Sequence, residues 1–167
     1  GGLGCPAAKS LVAAGIGNLN IIDGDTIDLS NLHRQHLYSA LDVGKKKVDI
    51  AKKVLGRISE DTIIKTYDFF LNDLNGVDCF DDVDIIIDAT DNISSRKLID
   101  QFSQIKNIPM VYGSLFRFEG QVGIFNTNGS IGYSELFPGN PSGGKTCSEA
   151  GVIGMLPTII GNIQALE

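Results

Sequence analysis

The sequence predicts an α/β protein with a mostly parallel, doubly wound sheet and added antiparallel strands. Short apolar segments of strand length alternate with longer segments of helical periodicity. A glycine-rich turn precedes the first helical segment, and acidic residues follow two of the apolar segments, at Asp23 and Asp91. These two positions lie at the carboxyl ends of strands, where open α/β sheets bind ligands.

The composition is that of one globular domain without a basic surface. The 167 residues are 43% hydrophobic, which is enough for a core. The net charge of -6 argues against a nucleic-acid partner. No apolar run approaches the roughly 20 residues that span a membrane, and no signal peptide is visible. Three cysteines without a C-x-x-C pair indicate reduced thiols, so we expect a cytoplasmic protein with no membrane partner.

We expect the chain to be a fragment that is truncated at both ends. It begins on a glycine turn without the strand that normally precedes a phosphate-binding turn, and it ends inside a helical segment. Residues 1–167 are therefore interpreted as a single nucleotide-binding domain whose first strand is missing from the fragment.

The glycine turn at the start of the chain leads into a helix. Pro6 suits a first helical turn and Gly15 suits the helix stop. Gly1 and Gly4 have the G-x-x-G spacing of a dinucleotide fingerprint, in which glycines let the backbone approach a phosphate. The alternative interpretation is a tight strand-to-helix connection.

The stretch from the next strand to the second helix carries the candidate binding residues. The strand Asn18–Ile22 ends at Asp23, about 20 residues after the turn, where an acidic residue bonds a ribose hydroxyl in dinucleotide-binding units. Asp25, Arg34 and a lysine cluster ending at Lys47 follow, and such a set suits the sugar and phosphates of a nucleotide. Alternatively, the acids form a turn, the arginine a surface ion pair and the lysines a solvated helix start.

The rest of the chain continues the alternation of strands and helices. We predict a helix over 45–59, a strand over 62–68, a loop or short helix over 71–82, a buried strand over 84–92, a helix over 93–107 capped by Asn92 or Ser94, a strand over 109–116, antiparallel strands over 116–127, a loop over 128–146 and a helical segment over 148–167.

Five motifs, in order, resemble the ThiF/MoeB-type adenylyltransferases, relatives of the ubiquitin-activating enzymes. They are GGLGCP, IIDGDTIDLSNLHRQHLYSALDVGKKKV, DATDN, FRFEGQV and TCSEAGVIGMLPTIIGNIQALE, which together span almost the whole chain. The resemblance implies a Rossmann-like adenylation domain that uses ATP and Mg²⁺. It also implies a homodimer whose substrate is the C-terminal glycine of a ubiquitin-like β-grasp sulfur carrier ending in Gly-Gly, of the molybdopterin or thiamine biosynthesis type.

The resemblance assigns roles to individual residues. Asp23 would bind the ribose, and Lys47 matches the family's catalytic lysine after a G-x-x-K element. Arg34 and Lys47 would be catalytic together with Asp91, which would hold Mg²⁺. The predicted nucleotide-binding set is Gly2, Gly4, Asp23, Asp25, Asn31, Arg34, Gln35, Lys47 and Asn92.

This set of residues suits the chemistry of adenylation. A glycine carboxylate is already ionised at neutral pH, so its attack on the α-phosphate needs no general base. The reaction needs two anions brought together and the developing charge offset, which cations and a metal ion achieve. His33 and His36 are therefore expected to be surface or packing residues.

Two further features follow from the resemblance. Cys147 matches a family cysteine that in some relatives carries a persulfide or a covalent link to the carrier, so it is a candidate for thiol transfer. The alternative is a spectator cysteine. Many family members bind a structural zinc through two C-x-x-C pairs, but Gly132 to Glu135 stand where the first pair would be. We therefore expect no zinc site of that kind.

Two other functions fit parts of the sequence. An NAD(P)-dependent Rossmann oxidoreductase would use the glycine turn and Asp23, but it gives no role to Arg34, Lys47 or Asp91. A catalytically inactive partner subunit of an activating enzyme would keep the fold, but such subunits usually lose the arginine or the lysine.

Overall fold

The computed structural model describes residues 1–139 and 151–167, which form an α/β fold of alternating helices and strands. The elements are α1 (Gly4–Ala13), β1 (Asn18–Ile22), α2 (Lys47–Leu55), β2 (Ile63–Tyr67), β3 (Ile86–Asp88), α3 (Ile93–Lys106), β4 (Met110–Phe116), β5 (Glu119–Phe125), α4 (Tyr133–Leu136) and α5 (Leu156–Leu166). Short 3-10 helices add to these at Leu29–Asn31, Ala40–Asp42 and Val77–Phe80.

The strands confirm the predicted mixture of parallel and antiparallel pairing. β1 pairs in parallel with β2, and β3 pairs in parallel with β4. β5 then returns antiparallel to β4 through a tight turn at Arg117 and Phe118. In the described ranges these strands form two hydrogen-bonded sheets, β1-β2 and β3-β4-β5. The Asn20 side-chain amide of β1 donates to the Cys79 carbonyl of the 3-10 helix Val77–Phe80 at 3.3 Å.

Each sheet has its own hydrophobic core. One core packs α1 and α2 against β1 and β2, through Cys5, Val12, Leu37, Ala51, Leu55 and Ile64. The other packs α3 and α4 against β3, β4 and β5, through Phe80, Ile86, Ile99, Phe102, Ile108, Met110, Tyr112, Phe125 and Tyr133. Helical spacing in the sequence predicts a core face of α2 at Val48, Ala51, Leu55 and Ile58. The first three are buried, but Ile58 lies beyond the end of the helix and is 39% exposed, so the prediction is wrong for that residue.

The helix ends mostly follow the predicted signals. α1 begins at Gly4, two residues before Pro6, and Gly15 beyond its end has a φ of 89°, which favours glycine. Asn92 caps α3, because its side-chain oxygen accepts from the Ser95 amide at 2.8 Å. Asn107 ends α3 in the left-handed conformation, with a φ of 53°.

The predicted helical segment over 148–167 is wrong at residues 151–155, and its residues 148–150 lie outside the described ranges. Helix α5 begins only at Leu156, because Gly151 has a φ of 69° and Pro157 fixes the first turn. A Cβ placed on Gly154 would lie 2.6 Å from the His33 carbonyl oxygen, so the backbone at Gly154 packs tightly against the backbone at His33. The predicted loop over 128–146 also contains the short helix α4.

None of the helices within the described part of the chain is long and apolar enough to cross a membrane.

A buried carboxylate, Asp100 on α3, holds α4 in place. It is 1% exposed and accepts hydrogen bonds at 2.9 Å from the Tyr133 and Ser134 amides, the first two of α4. It also accepts one from the Asn126 side chain at 2.9 Å. Burial raises the pKa of Asp100, but the hydrogen bonds from Ser134 and Asn126 outweigh it, so the pKa lies below 3.8.

We predict that Asp100→Ala lowers the free energy of unfolding by about 3 kcal/mol, because it removes the acceptor of the buried Tyr133 amide and of the part-buried Ser134 amide. Urea denaturation of the two proteins measures this difference. Since the folded-state pKa is lowered, the stabilisation is complete above pH 3.8 and is lost as the pH falls through the folded pKa.

The difference in the free energy of unfolding between the wild type and Asp100→Ala should therefore become smaller at acidic pH. Asp61→Ala, at an exposed position, is the matched control and should change stability by less than about 0.5 kcal/mol. A difference that stays constant down to the acid transition would contradict the proposed role of the ionised carboxylate.

Candidate functional site

The glycine turn lies between the carboxyl ends of β1 and β3. The amino nitrogen of Gly1 is 3.6 Å from Oδ2 of Asp23, which directly follows β1. A Cβ placed on Gly1 would lie 3.4 Å from the carbonyl oxygen of Ala89, and one placed on Gly4 would lie 3.4 Å from the Ala89 Cβ. The structure thus brings together the turn and the two strand ends that the sequence singled out.

Asp23 both shapes the turn after β1 and faces the glycine turn. Its amide extends the ladder by donating to the Tyr67 carbonyl at 3.2 Å, and its Oδ1 accepts from the Asp25 amide at 3.0 Å. Its Oδ2 remains directed at Gly1, and the side chain is 22% exposed. The turn-forming and ligand-facing roles are therefore compatible.

Arg34 lies over the glycine turn. A Cβ placed on Gly2 would be 3.5 Å from Cδ of Arg34, so a side chain there would press on the arginine stem. The guanidinium donates to the Ser30 carbonyl at 3.2 Å and lies 3.3 Å from Nε2 of His33. No carboxylate within residues 1–139 and 151–167 pairs with it. The alternative of a surface ion pair is therefore wrong for the described part of the chain.

A 3-10 helix at Leu29–Asn31 sets the position of Arg34. Oδ1 of Asp28 caps it by accepting from the Ser30 amide at 2.8 Å, and these Ser30 contacts lower the pKa of Asp28. The Asn31 carbonyl then accepts from the Arg34 and Gln35 amides at 3.1 and 3.0 Å. Asn31 is half-buried, and its side-chain nitrogen makes one long contact of 3.4 Å to the Ser30 hydroxyl.

Gln35 carries a polar atom that no described residue satisfies. The side chain is 4% exposed, and its Oε1 is buried without a hydrogen-bond partner. An unpaired buried acceptor costs about 1–3 kcal/mol, so such atoms are uncommon outside functional positions. This oxygen is an acceptor, so only a ligand that donates a hydrogen bond, such as a hydroxyl or amino group of a nucleotide, would satisfy it. The place of Gln35 in the nucleotide-binding set stays a prediction.

Lys47 is buried and held by Asp25. Its Nζ lies 2.6 Å from Oδ2 of Asp25, and its amide donates to the Asp25 carbonyl at 3.0 Å. The lysine side chain is 6% exposed and the aspartate side chain is 51% exposed. Antiparallel pairing of the backbone brings the two residues together. Thr26 forms a β-bridge with Lys46, and the Ile27 amide donates to the Lys45 carbonyl. Asp25, predicted from the sequence as a nucleotide contact, is thus the partner of Lys47.

Asp91 follows β3 and is exposed. No hydrogen bond or ion pair joins its carboxylate to the rest of the described chain, which leaves it available to a cation. Mg²⁺ commonly takes only one or two protein carboxylates together with substrate phosphates, so a single free aspartate fits it. No cluster of three or more His, Cys, Asp or Glu side chains that could hold a metal lies in the described ranges.

Asn92, the neighbour of Asp91, is partly committed to the fold. Its Oδ1 accepts from the Ser95 amide and the Ser94 hydroxyl, each at 2.8 Å. Its side-chain nitrogen forms no hydrogen bond within the described residues, so that end of the amide is the one available to a ligand.

Sequence reasoning missed Arg96 of α3, which forms an ion pair with Asp88 at the end of β3. Nε of Arg96 is 2.7 Å from Oδ2 of Asp88, and both side chains are buried. The signal was present, because an aspartate inside an apolar strand needs a partner when it is buried.

Two predicted features need separate mention. Cys147 lies outside the described residues. The segment from Gly132 to Glu135 forms the start of α4, where the Tyr133 ring lies 5.3 Å from that of Tyr112 and 5.8 Å from that of Phe125. Aromatic side chains thus pack in this segment, and the absence of zinc stays a prediction.

Comparisons with known proteins agree with the resemblance of the motifs. A family model described as "ThiF family" matches residues 1–167. The chain is 43% identical over 172 residues to a protein of Porphyra purpurea named "Probable molybdopterin-synthase adenylyltransferase". It is 37% identical over 174 residues to a "Sulfur carrier protein adenylyltransferase" of Thermus thermophilus. Both alignments cover 100% of this chain, but only 44% and 64% of the relatives.

Solved structures share the fold. PaaA, crystallised with selenomethionine, superposes with a TM-score of 0.79 at 30% identity, over 99% of this chain and 51% of that chain. Escherichia coli MccB, solved with ATP, superposes with a TM-score of 0.79 at 20% identity, over 99% and 51% of the two chains. The Rossmann-like fold class predicted from the sequence is therefore confirmed.

We predict that Asp25 and Lys47 stabilise each other by about 1 kcal/mol, because the lysine is buried and the aspartate is half-exposed. A double-mutant cycle with Asp25→Asn and Lys47→Met, read by urea denaturation, measures this coupling energy.

The neighbouring pair Lys46–Asp68 is the matched control. Its atoms are 3.2 Å apart, but both side chains are exposed, so its coupling energy should be about 0.3 kcal/mol or less. Equal coupling energies for the two pairs would contradict the inference that burial strengthens the interaction of Lys47 with Asp25.

Proposed function

The chain belongs to the ThiF family, and on that premise we propose that it adenylates the C-terminal glycine of a small ubiquitin-like β-grasp sulfur carrier, using ATP and Mg²⁺. One observation carries the proposal: Arg34 lies over the glycine turn without a carboxylate partner in the described chain. A cation left unpaired beside a phosphate-binding turn suits an anionic substrate. The names of the relatives support the reaction, and those names describe longer proteins.

In this proposal the nucleotide lies across the carboxyl ends of β1 and β3. Asp23 accepts from the ribose hydroxyls, and the glycine turn, through Gly2 and Gly4, admits the phosphates to the amino end of α1. The positive end of that helix dipole adds to the attraction. Asn31 donates its side-chain amide to the phosphates, and Gln35 accepts a hydrogen bond from the nucleotide through its unpaired Oε1. Asn92 offers its free amide nitrogen, and Asp25 acts by holding Lys47.

The proposed reaction is an attack of the carrier's terminal carboxylate on the α-phosphorus of ATP. The new bond joins a carboxylate oxygen to phosphorus, the bond to the β-phosphate breaks, and pyrophosphate leaves with its electron pair. Negative charge grows on the phosphate oxygens, where Arg34 and Lys47 offset it. Mg²⁺ held by Asp91 would neutralise part of the phosphate charge.

The two rival functions leave features of the site unused. A nicotinamide-dependent oxidoreductase has no need for an unpaired Arg34 over the turn or for a free Asp91. An inactive partner subunit has no need for a buried Lys47 that Asp25 holds in one position. We also propose that the protein is a cytoplasmic homodimer that acts in molybdopterin or thiamine biosynthesis.

We predict that the full-length protein catalyses carrier-dependent ATP–pyrophosphate exchange. Arg34→Ala, Lys47→Ala and Asp91→Asn should each lower the exchange rate by about 10²–10³, because each removes charge that stabilises the transition state. Exchange of radioactive pyrophosphate into ATP, measured with several carriers ending in Gly-Gly, gives these rates and identifies the carrier.

Exposed residues of the same types provide the controls. Arg57→Ala, Lys53→Ala and Asp61→Asn should leave the rate within about twofold of the wild-type value. Clear NAD(P) binding combined with no exchange for any carrier would contradict the proposed function.

We further propose that Cys147 forms a covalent link to the carrier. Its thiolate would attack the carbonyl carbon of the carrier adenylate, the bond to the AMP oxygen would break, and AMP would leave behind a thioester. The expected observation is an enzyme–carrier adduct that survives denaturation, is released by hydroxylamine and disappears in Cys147→Ala. Cys79→Ala is the control and should keep the adduct, whereas an adduct that persists in Cys147→Ala would contradict this role.

A further inference from the structure

A clamp of buried polar side chains fixes the carboxyl end of β3. Asp88, the last residue of this three-residue strand, is 0% exposed. Its Oδ1 accepts from the Thr90 amide at 2.9 Å and from the Thr90 hydroxyl at 2.6 Å. Its Oδ2 accepts from Nε of Arg96 at 2.7 Å. Both carboxylate oxygens are therefore used to set the direction in which the chain leaves the strand.

Arg96 joins this strand end to the loop and to the next strand. Its Nη2 donates to the Thr90 carbonyl at 2.9 Å and to the Gly113 carbonyl of β4 at 3.1 Å. The guanidinium carbon lies 4.7 Å from the centre of the Tyr112 ring. Only a planar, forked cation makes these contacts together, so lysine is not an equivalent residue here.

Gln164 adds a third element to the clamp. From α5, its Nε2 donates to the Asp88 carbonyl at 2.8 Å and to the Val111 carbonyl at 3.2 Å. A Cβ placed on Gly113 would lie 2.4 Å from Cδ of Gln164, so the close approach of this side chain requires glycine at that position. Helix α5 is thereby attached to the end of β3.

The same helix also touches the glycine turn. A Cβ placed on Gly2 would lie 3.2 Å from the Pro157 Cβ, and one placed on Gly161 would lie 2.4 Å from the Leu3 carbonyl oxygen. Gln164 and Pro157 therefore connect the end of β3 to the turn through one rigid element. The cap by Asn92 holds the far end of the loop.

Within the loop 89–92, Asp91 is the residue whose side chain the described fold leaves unused. Thr90 and Asn92 on either side of it are tied to the clamp and to α3. A buried ion pair is often no more stabilising than apolar packing of the same volume, so the clamp is better explained by the geometry that it imposes.

We propose that Arg96 and Gln164 are positioning residues that hold the Asp91 carboxylate at a fixed place relative to the glycine turn, where it binds the divalent cation of the nucleotide. This inference rests on the proposed function for the identity of the ligand. It assigns Arg96 and Gln164 an effect on metal binding although neither side chain is expected to touch the metal.

The test uses Mn²⁺, a paramagnetic substitute for Mg²⁺, bound to the full-length protein in the presence of ATP. Electron paramagnetic resonance gives the Mn²⁺ affinity without requiring turnover. Arg96→Lys keeps the charge but loses the fork, and Gln164→Met keeps the volume but loses two hydrogen bonds. Each should weaken Mn²⁺ binding by about tenfold or more, as is typical when the partner of a metal ligand is changed. ATP affinity measured without a metal should stay within about twofold of the wild-type value.

The controls separate positioning from folding. Arg57→Lys, at an exposed position, should change neither affinity, and thermal denaturation reports whether each variant is folded. If Arg96→Lys does not fold, Gln164→Met decides the question. An unchanged Mn²⁺ affinity in the folded variants overturns the proposal, as does equal weakening of metal-free ATP binding.

Failure of the proposed function gives a different result. Tight Mn²⁺–ATP binding by the wild type without carrier-dependent exchange would overturn the proposed adenylation reaction. The proposal that Arg96 and Gln164 position Asp91 would still stand if their variants bind Mn²⁺ more weakly. Absence of any Mn²⁺–ATP binding by the wild type would overturn both proposals.

Discussion

The buried ion pair between Arg96 and Asp88 fixes the place where three parts of the structure meet. Arg96 comes from α3, Asp88 ends β3, and the Gly113 carbonyl that completes the contact belongs to β4. Burial lowers the pKa of an arginine, but the nearby Asp88 carboxylate outweighs this, so the pKa of Arg96 is raised. Because Arg96 and both carboxylate oxygens of Asp88 bond to the residues that follow the strand, the loop after β3 has one defined exit direction.

In the described structure, three cations near the ends of β1 and β3 differ in their carboxylate partners. Arg96 is neutralised by Asp88, and Lys47 is held by Asp25. Arg34 lies over the glycine turn with no such partner in the described ranges. A protein with a net charge of -6 can therefore attract a polyanionic nucleotide locally, since screening limits the reach of distant charges to about 10 Å.

Local patterns in the sequence were sufficient to predict most of the helices and strands. Helical periodicity located α2, and the spacing from the glycine turn to Asp23 located the strand end that faces it. The contact between Asp25 and Lys47 could not be predicted, because it joins residues 22 positions apart through a ladder that has no sequence signal. The start of α5 was missed because it depends on the packing of Gly154 against His33 rather than on periodicity. The functional roles within the site came from resemblance and remain proposals, although the structure brings Gly2, Asp23 and Arg34 together.

The central claim is that this chain transfers the adenylyl part of ATP to a carrier protein. The most direct measurement incubates the full-length Cys147→Ala variant, in which no thiolate at this position displaces AMP from the carrier, with a carrier ending in Gly-Gly and ATP labelled with ³²P at either the α- or the γ-phosphate. Our account predicts that label from the α-phosphate becomes attached to the carrier as pyrophosphate is released, and that removal of the terminal glycine abolishes it. Transfer of label from the γ-phosphate, or no transfer from the α-phosphate to any carrier, would contradict the account.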